Sequence, residues 1–214
     1  MDRETYNKIE AFMYHHMKDS AHDLLHIYRV LYQALIISKS YDEVNKDVLI
    51  TSCLLHDIGR QKQYSDNKIC HAIEGGKMAY EFLKGIGWNE EYCQRVKHCI
   101  LTHRFQDNLQ PETIEAMILF DADKLDLCGA LGIGRTILYE GKMNYPLDEF
   151  ITYYNSKLIK LYDLFYTEKA KRLAEGSKLV STMFYNALQN QLDQSVAQNW
   201  MKNVKRTHEE AENL

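Results

Sequence analysis

Apolar residues recur at helical spacing along most of the chain. Tyr6, Ile9, Met13 and His16 fall three or four apart and predict a first amphipathic helix. Ser20 with Asp23 three residues on fits a capping box that opens a second helix, carrying Ile27, Val30, Leu31, Ala34 and Leu35 on one side. Asp47 can cap a third, whose stripe runs through Leu49, Cys53 and His56, and Gly59 is placed to end it in a left-handed conformation. Residues 60–70 are polar and irregular and read as a loop. His71, Gly75, Met78, Ala79 and Phe82 share a face of a fourth helix, whose small residues allow close approach of a neighbour, and Gly85 and Gly87 break it. Asn89 caps a fifth, with Tyr92, Val96, Cys99, Ile100 and His103 on one face. Pro111 suits a first turn and starts a sixth, ETIEAMILFDADKLDL, which is apolar nearly all round and therefore central. The glycine-rich GALGIGR ends it, and from Asp148 onward the pattern gives two long helices with Gly176 between or within them. No stretch alternates with the period of a strand. The expected fold is an all-α, single-domain bundle over residues 1–200, with core motifs at 20–140, long C-terminal helices at 147–204 and a frayed tail at 205–214.

Composition narrows the function classes. A chain of 214 residues buries a core without staples, and its two prolines suit helices better than a turn-rich β fold. The net charge of −4 argues against a broad basic face for a nucleic-acid polymer. No run reaches 18 apolar residues, so no membrane span is expected, and MDRETYNKIEAFM lacks the basic-then-apolar order of a signal peptide. The five cysteines are odd in number and without C-x-x-C spacing, which reads as free thiols of a cytoplasmic protein.

A few polar residues fall where a solvated helix face would not be. His56 continues an apolar stripe and is followed by Asp57; His71 and His103 continue stripes too; Asp121 and Asp123 sit inside the most hydrophobic helix. Carboxylates are rarely buried unless paired or bound to metal, so this grouping suggests a shared cation. Taken singly, each residue is more simply a hydrogen-bonded core histidine or an ion-pair member. His98 lies off its stripe, and His15, His16, His22 and His208 read as surface or packing residues, although His22 lies close to the motif around His26.

The ordered set resembles the HD-domain metal-dependent phosphohydrolases, a family marked by a spaced histidine, an adjacent His-Asp pair and a distant aspartate. Here these are His26 in HDLLHIYRV, His56 and Asp57 in CLLHDIGR, and an aspartate in ILFDADKLDL. CHAIEGGKMAYEFL, VKHCILTHRF, DADKLDLCGALGIGRTILY and YYNSKLIKLYDLFYTEKAKRLAEG extend the likeness to small stand-alone bacterial and archaeal HD hydrolases over roughly residues 6–190. The resemblance implies that His26, His56, Asp57 and one late aspartate hold a divalent ion. A mixed nitrogen and oxygen set suits Mn, Fe, Co, Ni or Zn better than Mg. Neighbouring His56 and Asp57 diverge by about 100° on a helix and reach one ion together only near its end. Asp121 and Asp123 point about 200° apart, so one ion does not take both. The family's A-D-x-L pattern selects Asp123, leaving Asp121 as a capping or supporting residue and Asp126 as one that could orient a ligand.

In the same family frame His71 and His103 are candidate catalytic residues, for phosphate or proton transfer ahead of a second metal. Arg29, Arg60, Lys124 and Arg135 are the candidate cations for substrate phosphate. G-x-x-G-x-G at Gly129, Gly132 and Gly134 is neither a dinucleotide fingerprint nor a P-loop. The expected activity is hydrolysis of a nucleotide or small phosphate ester or anhydride, with pyrophosphohydrolase chemistry preferred over simple phosphomonoesterase chemistry. The alternative is a non-catalytic module that binds metal or nucleotide as a sensor. Oligomeric state is left open.

Overall fold

Side-chain caps set several helix starts in this computed structural model, which describes residues 1–17, 24–66, 68–104, 109–142, 144–193 and 204. The elements are α1 (Arg3–His16), α2 (Leu24–Ser38), α3 (Lys46–Leu55), α4 (Arg60–Ser65), α5 (His71–Gly85), α6 (Glu90–Thr102), α7 (Ile114–Leu125), α8 (Gly129–Lys142), α9 (Leu147–Tyr153) and α10 (Glu168–Asp193). Between α9 and α10 the chain runs through a π turn, Tyr154–Leu158, and a 3-10 turn, Lys160–Asp163. No strand occurs among the described residues, and no helix there is long and apolar enough to cross a membrane.

The Asp2 carboxylate caps α1 through the Thr5 N–H, and Asn89 caps α6 through the Tyr92 N–H at 2.8 Å, as its sequence position predicts. Asn45, not Asp47, caps α3: its Oδ1 accepts from the N–H groups of Asp47 and Val48 at 3.1 and 3.2 Å. Thr113 rather than Pro111 opens α7, because its hydroxyl can accept from the Ala116 N–H at 3.3 Å and a proline ring cannot. The Ser20–Asp23 box and His22 lie outside the described residues, as do residues 194–203 and the tail 205–214.

α7 lies at the centre and packs against α2, α3, α6 and α10. Ile118, Leu119 and Ala122 on α7 join Ile27 and Val30 of α2, Leu54 of α3 and Ile100 of α6 in one core, all fully buried. Each large aliphatic side chain so buried stabilises the fold by roughly 1.5–3 kcal/mol. Asp121, inside the same helix, accepts from the Thr167 N–H at 2.7 Å, the Thr167 hydroxyl at 2.6 Å and the Tyr166 N–H at 2.9 Å. A buried carboxylate of α7 thereby fixes where α10 begins.

Three stretches depart from the sequence pattern. Residues 60–65, expected as loop, form the short helix α4. GALGIGR does not end a helix but forms most of α8: Gly129, at φ +64°, turns the chain, and the segment then continues helically while packing on α10. The expected pair of long C-terminal helices is one long helix, α10, with Gly176 inside it, preceded by short helical turns.

Gly59 is also not left-handed; its φ is −79°. What demands glycine there is space. A Cβ at Gly59 would stand 2.2 Å from the His71 carbonyl oxygen and 2.7 Å from the Gly75 nitrogen. The turn after α3 therefore seats directly on the first turns of α5, and this contact brings His56 and Asp57 next to His71.

Candidate metal centre and active site

Four imidazoles converge with their protons turned outward. His56 Nδ1 lies 2.8 Å from the Cys53 carbonyl and His103 Nδ1 lies 2.6 Å from the Ile100 carbonyl. A carbonyl only accepts, so both Nδ1 atoms carry the proton and both Nε2 atoms present a bare lone pair. His26 Nδ1 donates to Asp126 Oδ2 at 2.8 Å, and His71 Nδ1 donates to Gln63 Oε1 at 2.8 Å, giving the same tautomer. The Nε2 atoms then meet in pairs, His26 with His56 at 3.3 Å and His71 with His103 at 3.2 Å. Two acceptors at such a distance repel unless a positive centre stands between them. Burial lowers the His56 imidazole to about 4 and drives that of His71 lower still, so neither of these two carries that charge near neutral pH.

The carboxylates complete two triads. His26, His56 and Asp123 place ligand atoms within 4.8 Å of one another, as do Asp57, His71 and His103, and all six side chains are buried. Asp57 joins the two. Its Oδ1 lies 3.4 Å from His71 Nε2 and 3.6 Å from His103 Nε2, while its Oδ2 lies 3.7 Å from the Nε2 of both His26 and His56. That Oδ2 is buried without a hydrogen-bond partner, a costly state for a carboxylate oxygen and the one expected of a ligand. Asp123 Oδ1 is 3.4 Å from His26 Nε2. The donor set of each triad, two imidazoles and a carboxylate, fits a first-row divalent ion.

Basic side chains hold these acids ionised. Burial pushes Asp57 up, but the Arg60 guanidinium, 2.9 Å away, and the imidazoles hold it well below the usual carboxylate range. Burial raises Asp123 too, and Lys124, whose Nζ is 2.6 Å from Oδ2, more than reverses it. The same Nζ donates to the His103 carbonyl at 3.0 Å, so Lys124 links the two triads. Asp126 sits at about 2 because burial is outweighed by the hydrogen bonds from His26 and Arg29 and by the charge of Arg135. Arg29 reaches it through Nε at 2.7 Å and Nη2 at 3.0 Å, and Arg135 through Nη1 at 2.6 Å.

All ten residues singled out in the sequence thus gather at one centre, but in an order the sequence does not show. Arg29 and Arg135, expected on substrate phosphate, converge on Asp126, and Arg60 and Lys124 each lie on a candidate ligand. His71 and His103 stand together, their Nε2 atoms 3.2 Å apart beside Asp57 Oδ1. Gln63 escaped sequence reasoning, since it lies in the polar stretch that reads as loop and nothing local ties it to His71. His98 is half-buried and accepts from the Glu112 N–H at 3.0 Å.

The HD-domain family model matches residues 24–128, which contain all six triad residues. YpgQ of Bacillus subtilis strain 168, an uncharacterized protein, is 29% identical over 184 residues, covering 82% of this chain and 86% of YpgQ. Its crystal structure in complex with ADP superposes with a TM-score of 0.68 at 27% identity, covering 86% of this chain and 97% of that one. An HD-superfamily hydrolase from Bacillus thuringiensis gives a TM-score of 0.67 at 29% identity, over 90% of this chain and 99% of that one.

Proposed function

Since the chain belongs to the HD-domain superfamily of metal-dependent phosphohydrolases, we propose that its centre holds two divalent ions and hydrolyses a nucleotide or a similar small phosphate anhydride. The observation that carries this reading is the pairing of four unprotonated Nε2 atoms around the two oxygens of Asp57. His26, His56 and Asp123 would hold one ion, Asp57, His71 and His103 the other, with Asp57 Oδ2 turned toward the first pair. This places the second metal ahead of proton transfer for His71 and His103, because their Nε2 lone pairs face each other and Asp57.

Divalent ions bound there supply Lewis-acid polarisation of a phosphoryl group and a more acidic water. The chain's own residues prepare the site. Cys53 and Ile100 carbonyls, Gln63 and Asp126 fix each imidazole so that no reorganisation is needed on binding. Arg60 and Lys124 keep Asp57 and Asp123 ionised and add positive charge where phosphate oxygens gather. The ADP complex of YpgQ supports a nucleotide as substrate. The number of basic groups, more than one phosphate requires, favours release of pyrophosphate in one cut over stepwise loss of phosphate.

Elemental analysis of protein purified without chelators, with a panel of nucleotides and an aryl phosphate under Mn²⁺, tests the reading. About two equivalents of metal and turnover of a nucleoside triphosphate to monophosphate and pyrophosphate, followed by phosphorus NMR, are expected. Diphosphate nucleotide and inorganic phosphate as first products would overturn the one-cut chemistry, and no turnover with any divalent ion would favour the sensor.

A further inference from the structure

The four basic residues expected on substrate already have carboxylate partners, but among the described residues a fifth does not. Arg104 follows His103 directly at the end of α6 and is half-buried. Its Nη1 lies 3.4 Å from the sulfur of Cys70, the residue before His71, and among the described residues no carboxylate comes within ion-pair distance of it. Arg104 thus adjoins the second triad as the chain neighbour of His103 and through Cys70, the chain neighbour of His71, whereas Arg29 and Arg135 gather on Asp126 at the His26 end. A guanidinium partly withdrawn from water with no counter-charge is costly, and its planar fork matches a phosphate.

We infer that Arg104 binds a phosphoryl group of the substrate other than the one under attack, and so sets a preference for di- and triphosphates over monoesters. The inference rests on the hydrolase reading above for the word substrate, but the anion site itself does not need turnover. Around the centre, Arg29, Arg60, Lys124 and Arg135 pair with Asp57, Asp123 and Asp126, and Arg104 adjoins the second triad through Cys70. The excess is positive before any metal is added, and among the described residues Arg104 is the part of it that no carboxylate shares. One charge-assisted contact of this kind corresponds to about 10- to 100-fold in affinity.

The test titrates the full chain, loaded with Mn²⁺, with imidodiphosphate, a pyrophosphate analogue that resists hydrolysis, and with orthophosphate. Wild type is compared with Arg104→Gln and Arg104→Lys. Imidodiphosphate affinity is expected to fall about 10- to 100-fold in Arg104→Gln, to recover partly in Arg104→Lys, and to fall more than orthophosphate affinity does. The ratio of kcat/KM for a nucleoside triphosphate to that for an aryl phosphate should fall by the same factor. Metal content and thermal midpoint, measured alongside, show that both variants are folded and loaded. Equal imidodiphosphate affinity in Arg104→Gln and wild type, or equal losses for both anions, would overturn the inference. Wild-type turnover with an unchanged ratio overturns it while leaving the hydrolase reading intact. Arg104-dependent imidodiphosphate binding without turnover does the reverse.

Discussion

His26 and Asp126, 100 residues apart in the chain, are joined by a 2.8 Å hydrogen bond from Nδ1 to Oδ2. That bond selects the tautomer of His26 and aims its Nε2 at His56 and Asp123. Asp126 also receives Arg29 and Arg135, so the same carboxylate ties α2, the end of α7 and α8 together at the edge of the centre. Asp126→Asn keeps the shape but can present an amide N–H to His26 and to the arginines. Metal affinity is expected to fall about 10- to 100-fold, as it does when such supporting partners are lost. Competition with a fluorescent chelator measures it; unchanged affinity would mean that Asp126 serves folding alone.

The two triads should be separable by stoichiometry. His71→Ala removes a ligand from one triad only, so metal content should drop from about two equivalents to one. Asp57→Asn, which weakens the carboxylate shared between both, should lose most of both. Inductively coupled plasma analysis distinguishes the cases. Two full equivalents retained in His71→Ala would refute the pairing.

Asp121 and Asp123 lie two residues apart and have opposite duties. Asp121→Asn disturbs three contacts that start α10 and should destabilise the protein by about 1–3 kcal/mol, read as a lower denaturation midpoint, with metal content unchanged. Asp123→Asn should show the opposite balance, losing metal while the chelator-treated protein keeps its midpoint.

Gly59→Ala tests the contact that seats the His56–Asp57 turn on α5. The new methyl would meet backbone, the His71 carbonyl at 2.2 Å, and backbone cannot swing aside as a side chain can. A loss of about 1–3 kcal/mol or more is expected, accompanied by weaker metal binding. A Gly59→Ala protein with wild-type stability and metal content would show that the turn has room to shift.

Thiol chemistry should single out one cysteine. Burial pushes the Cys53 thiol well above its ordinary value and those of Cys99 and Cys128 up to about 12, so at pH 8 the thiolate fraction is on the order of one in ten thousand for the latter two. Cys93 is buried as well, and Cys70 is only half-buried. Native protein at pH 8 should alkylate at Cys70 first, and at all five cysteines once unfolded, as mass spectrometry of peptides would report. Rapid native labelling of Cys99 would contradict the packing of α6.

The chemistry-bearing residues were legible because helix is a local pattern. Imidazoles and carboxylates that continue apolar stripes, as His56, His103 and Asp123 do, stand out against a period of 3.6 residues, and the ordered spacing of His26, His56, Asp57 and Asp123 carries the family resemblance. The same local logic misread residues 60–65 and GALGIGR, where polar or glycine-rich composition argues against helix and packing on α5 and α10 overrides it. The partners of each charge were not legible at all. Only the packing of α2 against α7, and of the turn after α3 against α5, decides that Arg29 and Arg135 meet Asp126 and that Asp57 turns one oxygen to each histidine pair. These are contacts between positions tens to a hundred residues apart, and a hydrogen bond or ion pair depends on distances of a few tenths of an ångström that no periodicity encodes.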